Sequence, residues 1–359
     1  MLDYIENYLS ALKTQKIYRS LKSYSNDFVD FSSNDYLGLS YNEASIKAGF
    51  KAAQYYGSGS TGSRLLSGNK EIFEIFEKQI AFDKKFKAAL IFNCGFIANA
   101  CIISALCIPQ TVVIFDKLNH ASIYYGLNSS PAKLVRYPHL QYDKLEEILK
   151  KECGSYKNRV VVSETVFGMD GDMADLDALL YLSKKYNTML FLDEAHATGL
   201  YGKNGCGLST DYVWDPSSTI IMGTFSKALS SSGAYVVCNK LMREYLVQKC
   251  KGFIYSTALS PFCIGVAQYN WNLLKTMTNT RMRLLLLAQK FVEYSGTNII
   301  SVVFRCVDEM FYVHNKLLEH KIVTSAIRPP TSPTPRIRFA INATHTEEDV
   351  LRLLEVLKK

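Results

Sequence analysis

The chain has 359 residues, 48% of them hydrophobic and 21% charged, with a formal net charge of +8 at pH 7. This length and composition indicate a large buried core and exclude a disordered, collagen-like or disulfide-stapled chain. The nine cysteines are scattered, with no C-x-x-C pair and no histidine cluster at metal spacing. We therefore expect no disulfides, no bound metal, and a reducing, cytoplasmic location. The net charge favours anionic partners such as phosphates, coenzyme A or an acidic carrier protein. The basic residues form no run, which argues against a nucleic-acid partner.

Two segments, at residues 1–16 and 89–108, could be mistaken for a targeting peptide and a membrane span. Residues 1–16 have aliphatic side chains at helical spacing, but two acidic residues among them argue against a targeting peptide. Residues 89–108 are uncharged and long enough to span a bilayer, although Asn93, Gly95 and Asn99 interrupt them. We interpret the second segment as a strand, a turn and a buried helix, and expect no membrane partner.

Short apolar, β-rich runs alternate with helical stretches through the middle of the chain. The runs are residues 88–92, 112–116, 160–166, 189–193, 219–223 and 234–238. Continuous apolar strands separated by helices indicate a mainly parallel sheet that is covered on both faces. On such sheets, ligands bind beyond the carboxyl ends of the strands.

The C-terminal part has a different pattern. Residues 265–295 are predicted to form one long helix, followed by strands near 299–305 and 335–341 and a closing helix at 347–357. This order is typical of a smaller α+β domain. The predicted organisation is an N-terminal helical segment at 1–44, a large α/β cofactor-binding domain at 45–250, and the small domain at 251–359.

A lysine follows one predicted strand. Thr224, Phe225, Ser226 and Lys227 come directly after the run at 219–223. A lysine among small residues at the mouth of an α/β sheet can be desolvated and lose its proton, as Schiff-base chemistry requires. Taken alone, the segment is more typical of a loop with a surface lysine.

Acidic residues and a histidine follow another strand. Asp193, Glu194 and His196 come at the end of the run at 189–193. A carboxylate there can pair with a protonated ring nitrogen, which makes a cofactor such as pyridoxal phosphate (PLP) an electron sink. An acidic pair could instead bind Mg²⁺ in a nucleotide hydrolase, but the chain lacks the G-x-x-x-x-G-K-[ST] phosphate loop.

Two other segments could bind an anion. Residues 57–64 are rich in glycine and hydroxyl side chains, and Cys94, Gly95 and Phe96 open a predicted helix. The free N–H groups and the dipole of a helix N-terminus suit a phosphate. His120 follows the run at 112–116 and could stack on a planar ring, although a lone histidine is usually structural.

Together, and in this order, these segments resemble the α-oxoamine synthases, a branch of the fold-type I PLP-dependent enzymes. The matching blocks are FSSNDYLGLS (31–40), GSGSTGSRLLSGN (57–69), FDKLNHASI (115–123), SETVFGMDGD (163–172), LDEAHATGLYG (192–202), GTFSKA (223–228), IYSTALSP (254–261) and AIRPPTSP (326–333). The resemblance implies a fold-type I transferase with a mainly parallel seven-stranded sheet, assembled as a homodimer.

The resemblance also implies roles for particular side chains around PLP. Lys227 would hold the cofactor as a Schiff base and later transfer protons. Asp193 would pair with the pyridine nitrogen, and His196 would hydrogen-bond the phenolic oxygen. His120 would stack on the ring and contact substrate.

Other matching positions would bind the phosphate or the substrate. Gly95, Phe96, Gly168 and Thr224 would contact the cofactor within one subunit, and Thr257 would reach the phosphate of the neighbouring subunit. The implied substrate contacts are Arg19, Thr331 and Arg338, with Arg338 as the clamp for the amino-acid carboxylate.

The sequence departs from the family pattern at three places. Gly168 stands where close family members have a serine, and Cys94 stands where serine or threonine is common. The segment 333–336 is short, which leaves open whether Arg336 or Arg338 faces the substrate.

The activity that the resemblance implies is a decarboxylative condensation. L-alanine would react with a pimeloyl thioester of acyl-carrier protein or coenzyme A, giving 8-amino-7-oxononanoate, CO2 and a free thiol for biotin synthesis. An alternative is another α-oxoamine synthase that uses glycine or serine with a different acyl-CoA. A nicotinamide oxidoreductase would require a dinucleotide fingerprint, which the chain lacks. A scaffold that has lost catalysis is disfavoured by the joint presence of Lys227, Asp193, His196 and His120.

Overall fold

The computed structural model describes residues 1–128, 130–291, 293 and 295–358. The strands are β1 (Val29–Asp30), β2 (Ala88–Phe92), β3 (Thr111–Asp116), β4 (Lys133–Tyr137), β5 (Asn158–Glu164), β6 (Met189–Asp193), β7 (Thr219–Thr224), β8 (Ala234–Cys238), β9 (Ile299–Val303), β10 (Ile322–Val323), β11 (Ser325–Ile327) and β12 (Arg336–Ala340). The helices are α1 (Leu2–Thr14), α2 (Glu43–Tyr56), α3 (Glu71–Asp83), α4 (Gly95–Leu106), α5 (Ala121–Leu127), α6 (Tyr142–Glu152), α7 (Leu176–Lys185), α8 (Lys240–Lys249), α9 (Lys251–Ile254), α10 (Pro261–Leu274), α11 (Thr278–Ala288), α12 (Val307–Glu319) and α13 (Glu347–Lys358).

Seven strands form the central sheet in the order β2-β8-β7-β6-β5-β3-β4. Strand β8 runs antiparallel to both of its neighbours, β2 and β7, and the remaining pairs of this sheet are parallel. Every residue of β2, β3, β7 and β8 is buried, because helices cover both faces of such a sheet. The prediction of a mainly parallel seven-stranded sheet is confirmed.

The register of the sheet brings several polar residues to one edge. Glu164 at the end of β5 pairs with Asp193 at the end of β6. Asp116 ends β3, and Thr224 ends β7 next to the partner strand β8. Since the carboxyl ends of parallel strands meet at the same edge, residues distant in sequence become neighbours there.

Several helices begin at residues whose side chains cap them. Asn42, Asp175 and Asn239 accept hydrogen bonds from backbone N–H groups in the first turns of α2, α7 and α8. Ser260 caps α10, which has Pro261 as its first residue. The apolar segment 89–108 contains β2 and α4, as interpreted, and none of the described helices has the length and apolar character needed to cross a membrane.

The prediction of one helix across 265–295 is wrong. Helix α10 ends at Leu274 and α11 begins at Thr278. Arg281 from the second helix donates a hydrogen bond to the carbonyl of Leu274, so a side chain satisfies an end carbonyl of the first helix. The helical spacing of apolar residues continues through the break between α10 and α11. The sequence pattern therefore does not reveal where one helix ends and the next begins.

The chain divides into two compact units. The first contains residues 1–34, 169–171 and 282–359, and the second contains 35–168 and 172–281. These divisions differ from the predicted boundaries at residues 44 and 250.

Long-range packing explains both differences. In the first unit, β1 pairs in parallel with β10, with Val29 opposite Ile322, and β9, β11 and β12 form an antiparallel sheet. In the second unit, α10 packs closely on α2, because a Cβ at Gly265 would lie 2.6 Å from the Cβ of Ala52.

Candidate active site

A cavity of about 220 Å³ lies at the carboxyl edge of the central sheet in the second unit. Seven of the predicted site residues line it: Gly95, Phe96, His120, Asp193, His196, Thr224 and Lys227. They come from the ends of three strands, β3, β6 and β7, and from the N-terminus of α4. The structure therefore brings together most of the predicted cofactor site.

The amine of Lys227 is held by a histidine. Its Nζ lies 2.9 Å from Nε2 of His196, and the other ring nitrogen of His196 lies 2.7 Å from the hydroxyl of Tyr36. Tyr36 is fully buried. Its hydrogen bond sets the orientation of the imidazole, and through it the position of the amine. Sequence reasoning missed this role of Tyr36, although the residue lies in the matching block at 31–40.

The carboxylate of Asp193 is buried, with a relative exposure of 3%. One oxygen accepts a hydrogen bond from the backbone N–H of Ala195 at 2.8 Å, and the other accepts one from Nδ2 of Asn99 at 2.7 Å. Both carboxylate oxygens therefore have a hydrogen-bond donor within the protein. The buried carboxylate at the cavity wall is suited to pair with a protonated ring nitrogen.

A second carboxyl, that of Glu164, lies on the same wall. Burial raises the pKa of Glu164 well above its usual range, and the neighbouring Asp193 raises it further. The nearby charge of Lys227 and a hydrogen bond from the backbone N–H of His120 lower it in part. Two adjacent buried carboxyls resist double ionisation, so we infer that Glu164 is the neutral partner. Sequence reasoning did not single out this residue, although it lies in the block at 163–172.

His120 precedes α5 and lines the cavity. Burial lowers its pKa, the carboxylate of Asp193 raises it, and the amine of Lys227 lowers it again. The net direction is downward, so we expect a neutral imidazole at pH 7.

The cavity also has an anion-binding end. Cys94 is the N-cap residue of α4, and its side chain makes no capping hydrogen bond to any described residue. The first N–H groups of the helix, at Gly95 and Phe96, are therefore not capped by that side chain. Thr224 lies opposite, 3.8 Å from where a Cβ of Gly95 would be. A helix N-terminus with an adjacent hydroxyl is suited to a phosphate group.

The residues present fit PLP. They include the half-buried amine of Lys227, a buried carboxylate for the ring nitrogen and a helix N-terminus for the phosphate. In addition, Oδ1 of Asn99 is buried with no hydrogen-bond partner among the described residues.

Gly168 lies against His196. A Cβ at this position would lie 2.0 Å from Nε2 of the imidazole. A serine here could be accommodated only if the histidine ring moved. The glycine and the observed position of His196 are therefore interdependent.

Thr257 is in the second unit but is not among the residues that line the cavity. It is exposed, its backbone pairs with Ser63, and its carbonyl accepts a hydrogen bond from Asn93 at 2.6 Å. Its contact with the phosphate of a neighbouring subunit stays a prediction.

Apart from His120, which lies in the second unit, the predicted substrate residues lie in the first unit. Arg19 donates a hydrogen bond to the hydroxyl of Thr331 at 2.7 Å, so these two residues do come together. On β12, Arg336 forms an ion pair with Asp170. Arg338 donates to the amide oxygen of Asn34 at 3.0 Å. Because Arg336 is engaged by a carboxylate, the role of substrate clamp stays a prediction for Arg338.

Comparison with known proteins gives three kinds of match. Residues 26–357 match the family model for aminotransferase class I and II. The chain is 34% identical over 381 residues to a putative 8-amino-7-oxononanoate synthase of Trichodesmium erythraeum, covering 99% of this chain and 97% of that protein. It is 38% identical over 349 residues to the 8-amino-7-oxononanoate synthase of Gluconacetobacter diazotrophicus, covering 92% of this chain and 87% of that protein.

Solved structures agree with the sequence matches. A serine palmitoyltransferase from S. paucimobilis with a bound PLP–myriocin aldimine has a TM-score of 0.89 at 26% identity, covering 99% of this chain and 96% of that one. The 8-amino-7-oxononanoate synthase of Francisella tularensis has a TM-score of 0.79 at 29% identity, covering 93% and 97%.

Proposed function

Because the chain belongs to the aminotransferase class I and II family, we propose that it is a PLP-dependent α-oxoamine synthase of biotin biosynthesis. One observation carries this proposal, namely the single cavity that joins Lys227 and His196 to the buried carboxylate of Asp193. Relatives named 8-amino-7-oxononanoate synthase, similar over nearly the full chain, support the pathway.

Each polar residue of the cavity has a distinct role in this function. When bound, PLP supplies an aldehyde that forms a covalent bond with an amine. Its ring withdraws electrons from the carbon atom that carries this amine. Lys227 holds the cofactor covalently through Nζ. Asp193 keeps a proton on the ring nitrogen, and the neutral carboxyl of Glu164 avoids a second negative charge beside it. The N-terminus of α4 binds the phosphate.

Lys227 is also the group that moves protons. Nε2 of His196 lies 2.9 Å from its Nζ, and both residues line the cavity. Nζ of Lys227 would accept the α-proton of the amino-acid substrate.

The substrates that we propose are L-alanine and a pimeloyl thioester of acyl-carrier protein or coenzyme A. The products are 8-amino-7-oxononanoate, CO2 and the free thiol. Arg338 binds the amino-acid carboxylate, Arg19 and Thr331 contact substrate, and Thr257 completes the site of the neighbouring subunit in a homodimer. The likeness to serine palmitoyltransferase favours one second candidate, a synthase that joins serine or glycine to a different acyl-CoA.

The cofactor attachment is tested at Lys227. We expect Lys227→Ala and Lys227→Arg to lack the visible absorbance of bound cofactor and to lose roughly 10²–10⁴-fold in turnover. Borohydride reduction of the wild type, followed by peptide mapping, should place the adduct on Lys227. The exposed Lys249 offers a matched control, since Lys249→Ala should behave as wild type. An adduct on another lysine, or near-normal turnover of Lys227→Ala, contradicts the proposal.

The substrate is tested separately. L-alanine, glycine and L-serine are each paired with pimeloyl-CoA, pimeloyl-acyl-carrier protein and palmitoyl-CoA, and products are identified by mass spectrometry. We expect the highest kcat/KM with L-alanine and a pimeloyl donor. A preference for serine or glycine with another acyl group would support the second candidate instead.

A further inference from the structure

A chain of hydrogen bonds connects His120 to Asp193. It passes through Ser122 and Asn99, which have no role in the proposed function so far. Ser122 Oγ lies 2.7 Å from Nδ1 of His120. Nδ2 of Asn99 lies 2.9 Å from Ser122 Oγ and 2.7 Å from Oδ2 of Asp193. Asn99 and Ser122 are both buried, with relative exposures of 1% and 0%. The direction of each bond in this chain can be determined from the donors alone.

The bond at the His120 end has one possible direction. The backbone N–H of Ser122 points at Nδ1 of His120 at 3.3 Å. A backbone N–H can only donate, so Nδ1 must be an acceptor and carries no proton. The proton of a neutral imidazole is then on Nε2.

The bond at the Asp193 end also has one direction. A carboxylate only accepts, so the amide group that faces Asp193 must be the NH2 of Asn99 and not its oxygen. That NH2 has two hydrogens, which account for the bonds to Asp193 and to Ser122. The hydroxyl of Ser122 therefore accepts from Asn99, and its single proton is donated to Nδ1 of His120.

The amide of Asn99 keeps this orientation although its Oδ1 is buried without a hydrogen-bond partner among the described residues. The reversed amide would place Oδ1 against the carboxylate of Asp193 and remove a charge-assisted hydrogen bond. The hydrogen bond at His120 and the hydrogen bond at Asp193 thus independently indicate the same direction of donation, from Asn99 through Ser122 to His120.

We propose that Asn99 and Ser122 are positioning residues that hold His120 as the neutral tautomer with its proton on Nε2. His120 then presents an N–H donor to the cavity and does not act as the base. Proton abstraction is left to Lys227, a consequence that rests on the proposed function, whereas the tautomer rests on hydrogen-bond geometry alone.

Four titratable groups face His120 and act on its charge. The carboxylate of Asp193 favours the protonated ring, and the amine of Lys227 disfavours it. The carboxyl of Glu164 accepts the backbone N–H of His120, and His196 lines the same cavity. In addition to these four groups, the hydroxyl of Ser122 donates a hydrogen bond that stabilises only the unprotonated form of Nδ1.

The tautomer is read directly by long-range ¹H–¹⁵N NMR. The chain has six histidines, and the protein, ¹⁵N-labelled at histidine, is measured as purified and before substrate is added. The signals of His120 are assigned by their loss in His120→Asn. We expect an unprotonated Nδ1 and a protonated Nε2 at pH 7 in the wild type. A proton on Nδ1, alone or together with Nε2, overturns the proposal without any need for a variant.

Variants then test the two positioning residues. Removal of the hydroxyl in Ser122→Ala should raise the pKa of His120 by roughly half to one pH unit, and Ser122→Thr should restore the wild-type value. In Asn99→Leu the Ser122 hydroxyl is released and can accept from a protonated Nδ1, so the pKa should rise there too.

Ser183 provides the matched control. Its buried hydroxyl donates to the carbonyl of Thr188 at 2.8 Å, in helix α7, and Ser183→Ala should leave the ring signals of His120 unchanged. An unchanged pKa of His120 in both Ser122→Ala and Asn99→Leu overturns the positioning role. Because these measurements need no turnover, they can succeed even where the substrate assays fail.

Discussion

Lys84 and Glu194 form an ion pair, and both side chains have a relative exposure of 0%. Glu194 lies between Asp193 and Ala195 in sequence. Besides the glutamate, Nζ of Lys84 donates to the carbonyl of Cys206 at 2.8 Å and to Oγ of Ser209 at 2.7 Å. The glutamate in turn accepts from the backbone N–H of Ser209 at 2.7 Å and from its hydroxyl at 2.9 Å. The pair therefore ties the loop at 206–209 to the residue that directly follows Asp193, the last residue of β6.

Removal of one partner should be strongly destabilising. Lys84→Met keeps the aliphatic stem but leaves the carboxylate of Glu194 buried without its counter-charge, and such a change costs about 3–5 kcal/mol. Glu194→Gln leaves the ammonium in the same position and should cost a similar amount. The double variant buries neither charge, so we expect it to be destabilised by clearly less than the sum of the two single changes.

Urea unfolding, followed by circular dichroism and by fluorescence, measures these differences where the two transitions coincide. The exposed pair of Lys47 and Glu43, with side-chain exposures of 72% and 85%, is the matched control. Lys47→Met should change the free energy of unfolding by less than about 0.5 kcal/mol. A cost below about 1 kcal/mol for Lys84→Met, or additive effects in the double variant, would refute the reasoning.

Three further changes have defined outcomes. Gly168→Ala should displace His196, because the new Cβ would lie 2.0 Å from its Nε2, and should cost about 1–3 kcal/mol of stability together with most of the activity. Tyr36→Phe removes a 2.7 Å hydrogen bond to the same ring and should weaken cofactor affinity, measured by equilibrium titration, roughly two- to tenfold. Burial lowers the pKa of His139, but hydrogen bonds to the aspartates on either side raise it to about 9. Because the pKa of His139 is higher in the folded state than in the unfolded state, the residue contributes about 3 kcal/mol to the free energy of unfolding. This contribution is complete below pH ~6.5 and is lost as the pH rises through about 9. Unfolding of wild type and His139→Gln across this pH range should show the loss.

Each of these changes has a control elsewhere in the chain. A Cβ at Gly154 would meet nothing within 4 Å, so Gly154→Ala should be tolerated. Tyr245→Phe deletes a hydroxyl that donates to the carbonyl of Ala105 at 2.7 Å and should not alter cofactor affinity. His320 is exposed, and His320→Gln should give no pH-dependent difference. Full activity in Gly168→Ala, unchanged affinity in Tyr36→Phe, or a constant difference for His139→Gln across the pH range would each contradict the corresponding prediction.

Much of the active site could be predicted because its residues follow strands that are readable locally. Lys227, Asp193 and His196 lie within four residues of a strand end, and the alternation of apolar runs with helices indicates that these ends share one edge. Resemblance to a known family then assigned roles that spacing alone left open. The joint presence of these residues in one cavity was therefore expected from the sequence.

The partners of those residues could not be predicted, because they come from distant parts of the chain. Tyr36 is 160 residues from His196, Asn99 is 94 residues from Asp193, and Lys84 is 110 residues from Glu194. No periodicity connects such positions, and each lies in a segment whose apolar pattern explains its burial without any contact to the site.

The amino-acid sequence by itself determined the class of fold and the chemical groups at the strand ends, since both depend on interactions between residues close in the chain. Only the tertiary structure decided which helix breaks, which strands join across the chain, and which side chains orient the reactive groups. These features depend on packing and hydrogen bonding between segments that meet only after the chain has folded.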